Sequence, residues 1–175
     1  MKKIYLLLFT ILLINCTSTK VYVKDEYRLR RINRIAVIPF LCNRPEIGYN
    51  ISSSLSSNLV TSRFRIIERT QLNRVLQEHG LSLTGVMEDY SILIGRLKGV
   101  DALIVGNATV SSGWAGAVFG GYIEYVSNCS VRMVDIVTGE VLLATNFTAE
   151  TASTFSGVTT ASEVGEELAK KISKY

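Results

Sequence analysis

A chain of 175 residues with 19 basic and 15 acidic side chains, a formal charge of +4, is long enough for one compact domain plus a leader or tether. With Lys2 and Lys3 set aside as part of that leader, 17 basic residues face 15 acidic ones, so the balance is no argument for a nucleic-acid partner. Three cysteines and one histidine exclude a disulfide-dense scaffold and give little material for a metal site.

Residues 1–15 read as a signal peptide. Lys2 and Lys3 open it, residues 4–14 are apolar apart from Thr10, and Leu13-Ile14-Asn15-Cys16 closes it. An apolar run this short cannot span a bilayer, which takes about 20 residues, so it is an export signal and not an anchor. Leu three positions before Cys is the core of the bacterial lipobox. The Cys sulfur receives a diacylglycerol, and the amine freed by cleavage takes a further acyl chain such as palmitate. Each buried methylene contributes about 0.8 kcal/mol, so several chains hold a protein on a membrane essentially permanently. Asn15 departs from the small residue usual before the Cys, and the alternative is an ordinary cleaved signal with a Cys nearby. Cys16 is the predicted lipidation site. Thr17 stands where an Asp would mark inner-membrane retention, which predicts the outer membrane, with the domain facing the periplasm. The predicted division is signal peptide over 1–15, lipidated Cys and tether over 16–31, and folded domain over 32–175.

Residues 17–26 sustain neither a helical nor a strand period and read as tether. Arg28, Arg30, Arg31 and Arg34 follow as a basic cluster that fits either a solvated strand edge or contact with anionic head groups. Arg34-Ile-Ala-Val-Ile-Pro-Phe40 is a short β-branched strand buried on both faces, and Pro39 ends it because proline cannot donate to a ladder. Ile47, Ile51, Leu55 and Leu59 then recur every fourth residue, one helical stripe whose serines at 52, 53, 56 and 57 allow close approach. Residues 63–68 alternate into a second strand. Thr70 caps a predicted helix carrying Leu72, Val75 and Leu76 and stopped by Gly80. A further helix over about 87–98 carries Ile92, Leu93 and Leu97, and Asp101-Ala-Leu-Ile-Val-Gly106 is a third buried strand.

The second half changes character. Residues 113–121 are glycine-rich, 122–137 alternate as a long strand, and Asp135-Ile-Val-Thr-Gly139 turns the chain into another strand over 140–149. Val164, Leu168 and Ile172 form the stripe of a closing amphipathic helix, with Ser162 as its predicted cap. The fold class is α/β: a mixed sheet flanked by helices, β-α-β-α-α-β first, then a β-hairpin and a C-terminal helix. Cys42 and Cys129 could form one disulfide, but their apolar settings favour two packed free thiols.

Five blocks in order carry a family resemblance: Arg34-Ile-Ala-Val-Ile-Pro-Phe40, Arg63-Phe-Arg-Ile-Ile-Glu-Arg69, Gln71-Leu-Asn-Arg-Val-Leu-Gln-Glu-His-Gly-Leu81, Gly99-Val-Asp-Ala-Leu-Ile-Val-Gly106 and Arg132-Met-Val-Asp-Ile-Val-Thr-Gly-Glu140. Behind a lipoprotein signal, they resemble the curli production assembly and transport component family over about residues 33–149. The resemblance implies a periplasmic α/β domain, a lipid anchor in the outer membrane and ring-forming assembly. In the best-known members, hairpins inserted in this domain build an outer-membrane barrel that exports amyloid subunits. A membrane hairpin needs two strands of about 9–11 residues. Only the stretch between Gly106 and Arg132 offers one, and there Glu124 and Asn128 share a face with Tyr122 and Val126. Smaller relatives, including lipoprotein cofactors that activate cell-wall synthases and accessory lipoproteins of flagella, keep the domain without the pore and match this length better.

No enzyme chemistry is indicated. His79 sits at a predicted helix C-terminus, where the helix dipole favours a cationic ring, and has no partners spaced for catalysis or metal binding. The serines at 52–57 have no accompanying base or oxyanion motif, and the glycines at 113–121 are followed by no Lys-Ser/Thr pair. The expected function is therefore a protein-binding assembly or accessory module of the cell envelope, with no cofactor, no metal and no nucleic acid, and with a homo-oligomer possible in principle. The alternative is an oligomeric outer-membrane secretion channel for curli-like proteins. Trp114, Phe119 and Tyr122, at the glycine-rich hairpin tip, are the residues predicted to contact a partner or a membrane.

Overall fold

A computed structural model describes residues 17–24, 26–67, 99–114, 121–149 and 160–175. The predicted helices over 70–80 and 87–98, and His79 with them, lie outside the described residues. The mixed α/β class is borne out.

The strands are β1 (Thr17–Val23), β2 (Arg34–Val37), β3 (Leu41–Cys42), β4 (Arg65–Ile67), β5 (Ala102–Trp114), β6 (Tyr122–Asp135) and β7 (Val141–Ala149); the helices are α1 (Glu26–Arg31), α2 (Pro45–Leu59) and α3 (Ala161–Ile172). The seven strands make one sheet in the order β1-β7-β6-β5-β2-β4, with β3 pairing further along β5. β2, β3 and β4 run parallel to their partners, whereas β5, β6, β7 and β1 form an antiparallel meander.

β2 begins where the Asp101 carboxylate accepts from the backbone N–H groups of Asn33 and Arg34, both at 2.8 Å, while the Asp101 N–H donates to the Arg34 carbonyl at 2.7 Å. The last ladder bond on this side runs from the Ile38 N–H to the Ile104 carbonyl at 3.0 Å. Pro39 then interrupts the ladder as expected, and β3 resumes it against Asn107 and Ala108. Ile35, Val37, Ile38, Leu103 and Ile104 are buried as the sequence predicts; Val105 is only half-buried and packs on the smaller of two apolar clusters.

The described helices α2 and α3 pack their apolar residues into the main core cluster with the sheet. Ile51, Leu55 and Leu59 of α2 are fully buried and Ile47 half-buried, so the predicted stripe is the one that packs. Burying each such side chain contributes about 1.5–3 kcal/mol. Val164, Leu168 and Ile172 of α3 are also fully buried. Where α2 and α3 meet, a Cβ on Gly165 would stand 2.6 Å from the Ser54 Cβ and 2.8 Å from the Leu55 nitrogen. Only a glycine against a serine permits that approach, and the Ser54 hydroxyl donates to the Ser162 carbonyl at 2.9 Å across it.

Three details differ from the sequence reading. Residues 17–26 are not all tether: β1 pairs along its whole length with β7, from Thr17↔Ala149 to Val23↔Leu143, and Leu29 of α1 is buried in the main core. The alternation that marks an edge strand is short and mostly polar here, so the pairing is supplied by β7 and not by local propensity. The cap of α3 is Thr160 and not Ser162. The Glu163 N–H donates to Thr160 Oγ1 at 3.3 Å and the Thr160 N–H donates to the Glu163 carboxylate at 2.9 Å, a reciprocal capping box two residues earlier than expected. The third strand does not stop at Gly106 but continues as β5 to Trp114.

Of the basic cluster, Arg28 is paired with Glu140 and Arg30 with Glu26. Arg63 holds that region in place by donating to the carbonyls of Leu29, Ile32 and Tyr175 at 2.7, 2.8 and 3.0 Å, which satisfies the open carbonyls after α1. Burial first, and then the charge of Arg30, lowers its pKa from the ordinary arginine value. Both described cysteines are free: Cys42 half-buried, Cys129 buried with its pKa pushed by that burial to about 12.

Gly165→Ala forces the α2–α3 contact apart and should cost about 1–3 kcal/mol, the usual range for overpacking. Chemical denaturation of the two proteins would measure it, and an unchanged midpoint would disprove the close approach.

Candidate functional site

β5 and β6 pair from Ala102↔Asp135 to Trp114↔Tyr122, but their outer neighbours stop earlier. β3 reaches Ala108 on one side, and β7 reaches Asn128 on the other. Residues 110–114 and 122–126 therefore project as a two-stranded arm, paired only with each other among the described strands.

A β-bulge marks the base of the arm. The register steps from Thr109↔Asn128 to Val110↔Val126, which leaves Ser127 as the extra residue. Its hydroxyl donates to the Thr109 carbonyl at 3.1 Å and accepts from the Ser111 hydroxyl at 2.8 Å. On the other edge, the side chain of Asn43 stands in for a strand. Its Nδ2 donates to the Val110 carbonyl at 2.9 Å and its Oδ1 accepts from the Val110 N–H at 2.8 Å. Next along the chain, Arg44 forms an ion pair with Glu124 of the arm. The hydrogen bond to Glu124 first, and its charge second, raise the arginine pKa from its ordinary value. The pair is half-exposed, so it orients the arm more than it stabilises the fold.

Between the arm, α2 and the start of α3 lies a groove of about 690 Å³, with Asn50, Ser53, Ser57, Tyr125 and Thr160 around an apolar floor of Ile47, Val110 and Val126. Among the described residues its carboxylate is Glu124, already engaged by Arg44. Such a volume suits a small ligand or a segment of chain, and the lining offers hydroxyls and amides instead of charge.

The predicted contact residues divide. Trp114 is the last residue of β5 and lies opposite Tyr122 in register; Tyr122 is 79% exposed. Cys16 and Phe119 lie outside the described residues. Of the α2 serines predicted to allow close approach, Ser52 is buried and donates to the Tyr49 carbonyl at 2.8 Å, whereas Ser53 and Ser57 are exposed on the groove; the close approach to α3 is made by Ser54 instead. Among the described residues no group of three or more His, Cys, Asp or Glu could hold a metal ion, and no helix is long and apolar enough to cross a membrane. Sequence reasoning missed Asn43, Arg44 and Tyr125. Asn43 and Arg44 read as a polar loop, and only the fold brings that loop beside Val110 and Glu124, some 67 and 80 residues away.

A mixed sheet packed with helices and carrying a projecting hairpin arm defines an α/β domain whose most distinctive surface, among the described residues, is a sheet extension. The chain belongs to the curli production assembly/transport component CsgG family, whose profile matches residues 37–174. No curated protein sequence matches it. Among solved structures it resembles the PelC dodecamer from Paraburkholderia phytofirmans, at 16% identity over 90% of this chain and 96% of that one, with a TM-score of 0.55. It is also similar to a DUF4136 family protein from Bacteroides thetaiotaomicron, at 12% identity over 93% and 98% of the two chains, with a TM-score of 0.54. At these identities the likeness is one of fold.

Asn43→Ala leaves the Val110 N–H and carbonyl unpaired and should cost about 1–3 kcal/mol, the penalty for a stranded donor or acceptor. Hydrogen exchange at the Val110 amide should accelerate together with the arm amides; protection equal to wild type would show that Asn43 does not secure the arm.

Proposed function

We propose that the protein is a lipoprotein of the outer membrane, acylated at Cys16, that works from the periplasmic side as an assembly or accessory module binding other envelope proteins. The observation that carries this reading is the family match across residues 37–174, on a chain whose first 16 residues have the form of a lipoprotein signal. In this reading residues 1–15 are removed, and Trp114, Phe119 and Tyr122 at the arm are the contact residues. No catalytic step is assigned to it.

One observation favours a second reading, an oligomeric secretion channel: the antiparallel arm is a hairpin in the place where a membrane hairpin would have to be. Against it, Glu124 of the arm is a charged residue on the same strand face as Tyr122 and Val126, where a membrane hairpin would carry apolar side chains. An oligomer is compatible with either reading, since the PelC structure is described as a dodecamer.

Cys16→Ser should abolish incorporation of a radiolabelled fatty acid and shift the protein out of the outer-membrane fraction. Equal labelling of both proteins would end the lipoprotein reading. Detergent-extracted wild type should give no conductance in planar bilayers; discrete channels would favour the secretion pore instead.

A further inference from the structure

Arg34 and Arg65 stand on facing positions of the parallel β2–β4 ladder, and both side chains are exposed. Like charges on facing ladder positions repel. Neither has a carboxylate partner among the described residues, nor has the exposed Arg31. Arg30 and Arg63 complete the cluster. The Arg63 guanidinium lies on the Leu29 and Ile32 carbonyls, close enough to Arg30 to feel its charge.

The described carboxylates at this end of the sheet are already occupied. Glu26 pairs with Arg30 and Glu140 with Arg28 and Lys24. Asp101 accepts from the backbone N–H groups of Asn33 and Arg34, and Asp135 from those of Val137 and Thr138. A Cβ on Gly99 would stand 2.9 Å from Arg34 Nη1, so that guanidinium lies against the glycine and is held in one place.

The cluster sits at the corner of the sheet diagonally opposite Thr17. Among the described strands β1 and β4 are the two outermost, five spacings apart, which is about 24 Å at roughly 4.8 Å each. Thr17 pairs with Ala149, level with the neighbourhood of Thr109 through Thr148↔Asn128↔Thr109. From there to Asp101, beside Arg34, is a further 27 Å or so at roughly 3.4 Å per residue.

We infer that this corner docks an acidic segment of a partner protein, with Arg34 and Arg65 as its central contacts. The inference rests on the protein-binding reading above and adds a surface which that reading does not use. Uncompensated positive charge selects an anion. The position excludes the membrane that would hold Cys16, because the corner lies at the far end of the sheet from Thr17. The backbone argues against a phosphate, since such sites are cradles of free N–H groups. Here those of Asn33, Arg34, Phe64 and Arg65 are taken by Asp101, Ser62 and Asn33. What remains is a row of guanidinium forks, each shaped for a carboxylate.

Full-length protein in neutral detergent is titrated against fluorescein-labelled decaglutamate, with anisotropy as the readout. The expected result is binding that weakens as salt rises. Arg34→Gln and Arg65→Gln should each weaken it about two- to fivefold, the worth of one exposed ion pair. Lys20→Gln, which removes the same charge from β1, should leave it unchanged. Arg65→Glu should abolish binding while the denaturation midpoint stays level or rises, because it places a carboxylate opposite Arg34. A lowered midpoint would make the arginine pair a support of the fold and overturn the inference. An equal loss for Lys20→Gln would overturn it by reducing the effect to net charge. Stronger displacement of the peptide by tripolyphosphate than by unlabelled decaglutamate, at equal charge, would overturn it in favour of a phosphate ligand. Absence of peptide binding would overturn it and leave the arm as the partner surface. None of these outcomes depends on acylation of Cys16, which the fatty-acid labelling tests separately.

Discussion

The ladder between β5 and β6 is the constraint on which the rest of the molecule depends. It runs unbroken but for one bulge, and each of its ends serves a different purpose. Over its first half it is the centre of the sheet, with β2 and β3 on one side and β7 on the other, and its inward side chains, among them Ile104, Met133 and Val131, are fully buried. Over its second half the neighbours fall away and the same two strands become an arm. The bulge at Ser127 lies at the transition, where one extra residue changes the twist and re-aims everything beyond it.

A two-stranded ribbon alone is marginal in water, and this one is secured at its base and not along its length. Asn43 gives Val110 both of the hydrogen bonds that a neighbouring strand would supply, and Arg44 reaches Glu124 one strand over. Both lie between β3 and α2, so the position of the arm is set by the same segment that starts the main helix. That helix is in turn positioned by α3 through the Gly165–Ser54 approach. The arm, α2 and the start of α3 enclose the groove, and a displacement in any one of them would reshape it.

The other edge of the sheet ties the fold to the membrane reading. Because β1 starts at Thr17 and is paired from its first residue, the sheet begins where the proposed anchor ends. A tethered domain would sample many orientations, whereas a paired strand confines this one to few. On the proposed lipoprotein reading, orientation at the membrane becomes a property of the fold.

How much of this was legible depended on whether the signal was local. The apolar runs of β2 and β5, the fourfold stripe of α2, the stripe of α3 and the turn at Gly139, whose φ is +72°, all follow from residues close together in the chain. Side-chain spacing and backbone preference act over a few residues, so they survive in one sequence without an alignment. The lipoprotein signal and the ordered family blocks were likewise local. β1, the Asn43 clamp and the boundary between sheet and arm were not. A mostly polar strand forms only because β7 offers it a complete edge, an asparagine becomes a strand substitute only beside Val110, and β5 becomes an arm only where β3 and β7 stop. The sequence by itself determined which segments are helix and strand in the core and which family they belong to. Where the arm begins, what secures it and where β1 joins the sheet were decided by tertiary structure alone, because each depends on segments that only the fold brings together, such as Asn43 with Val110 and β1 with β7.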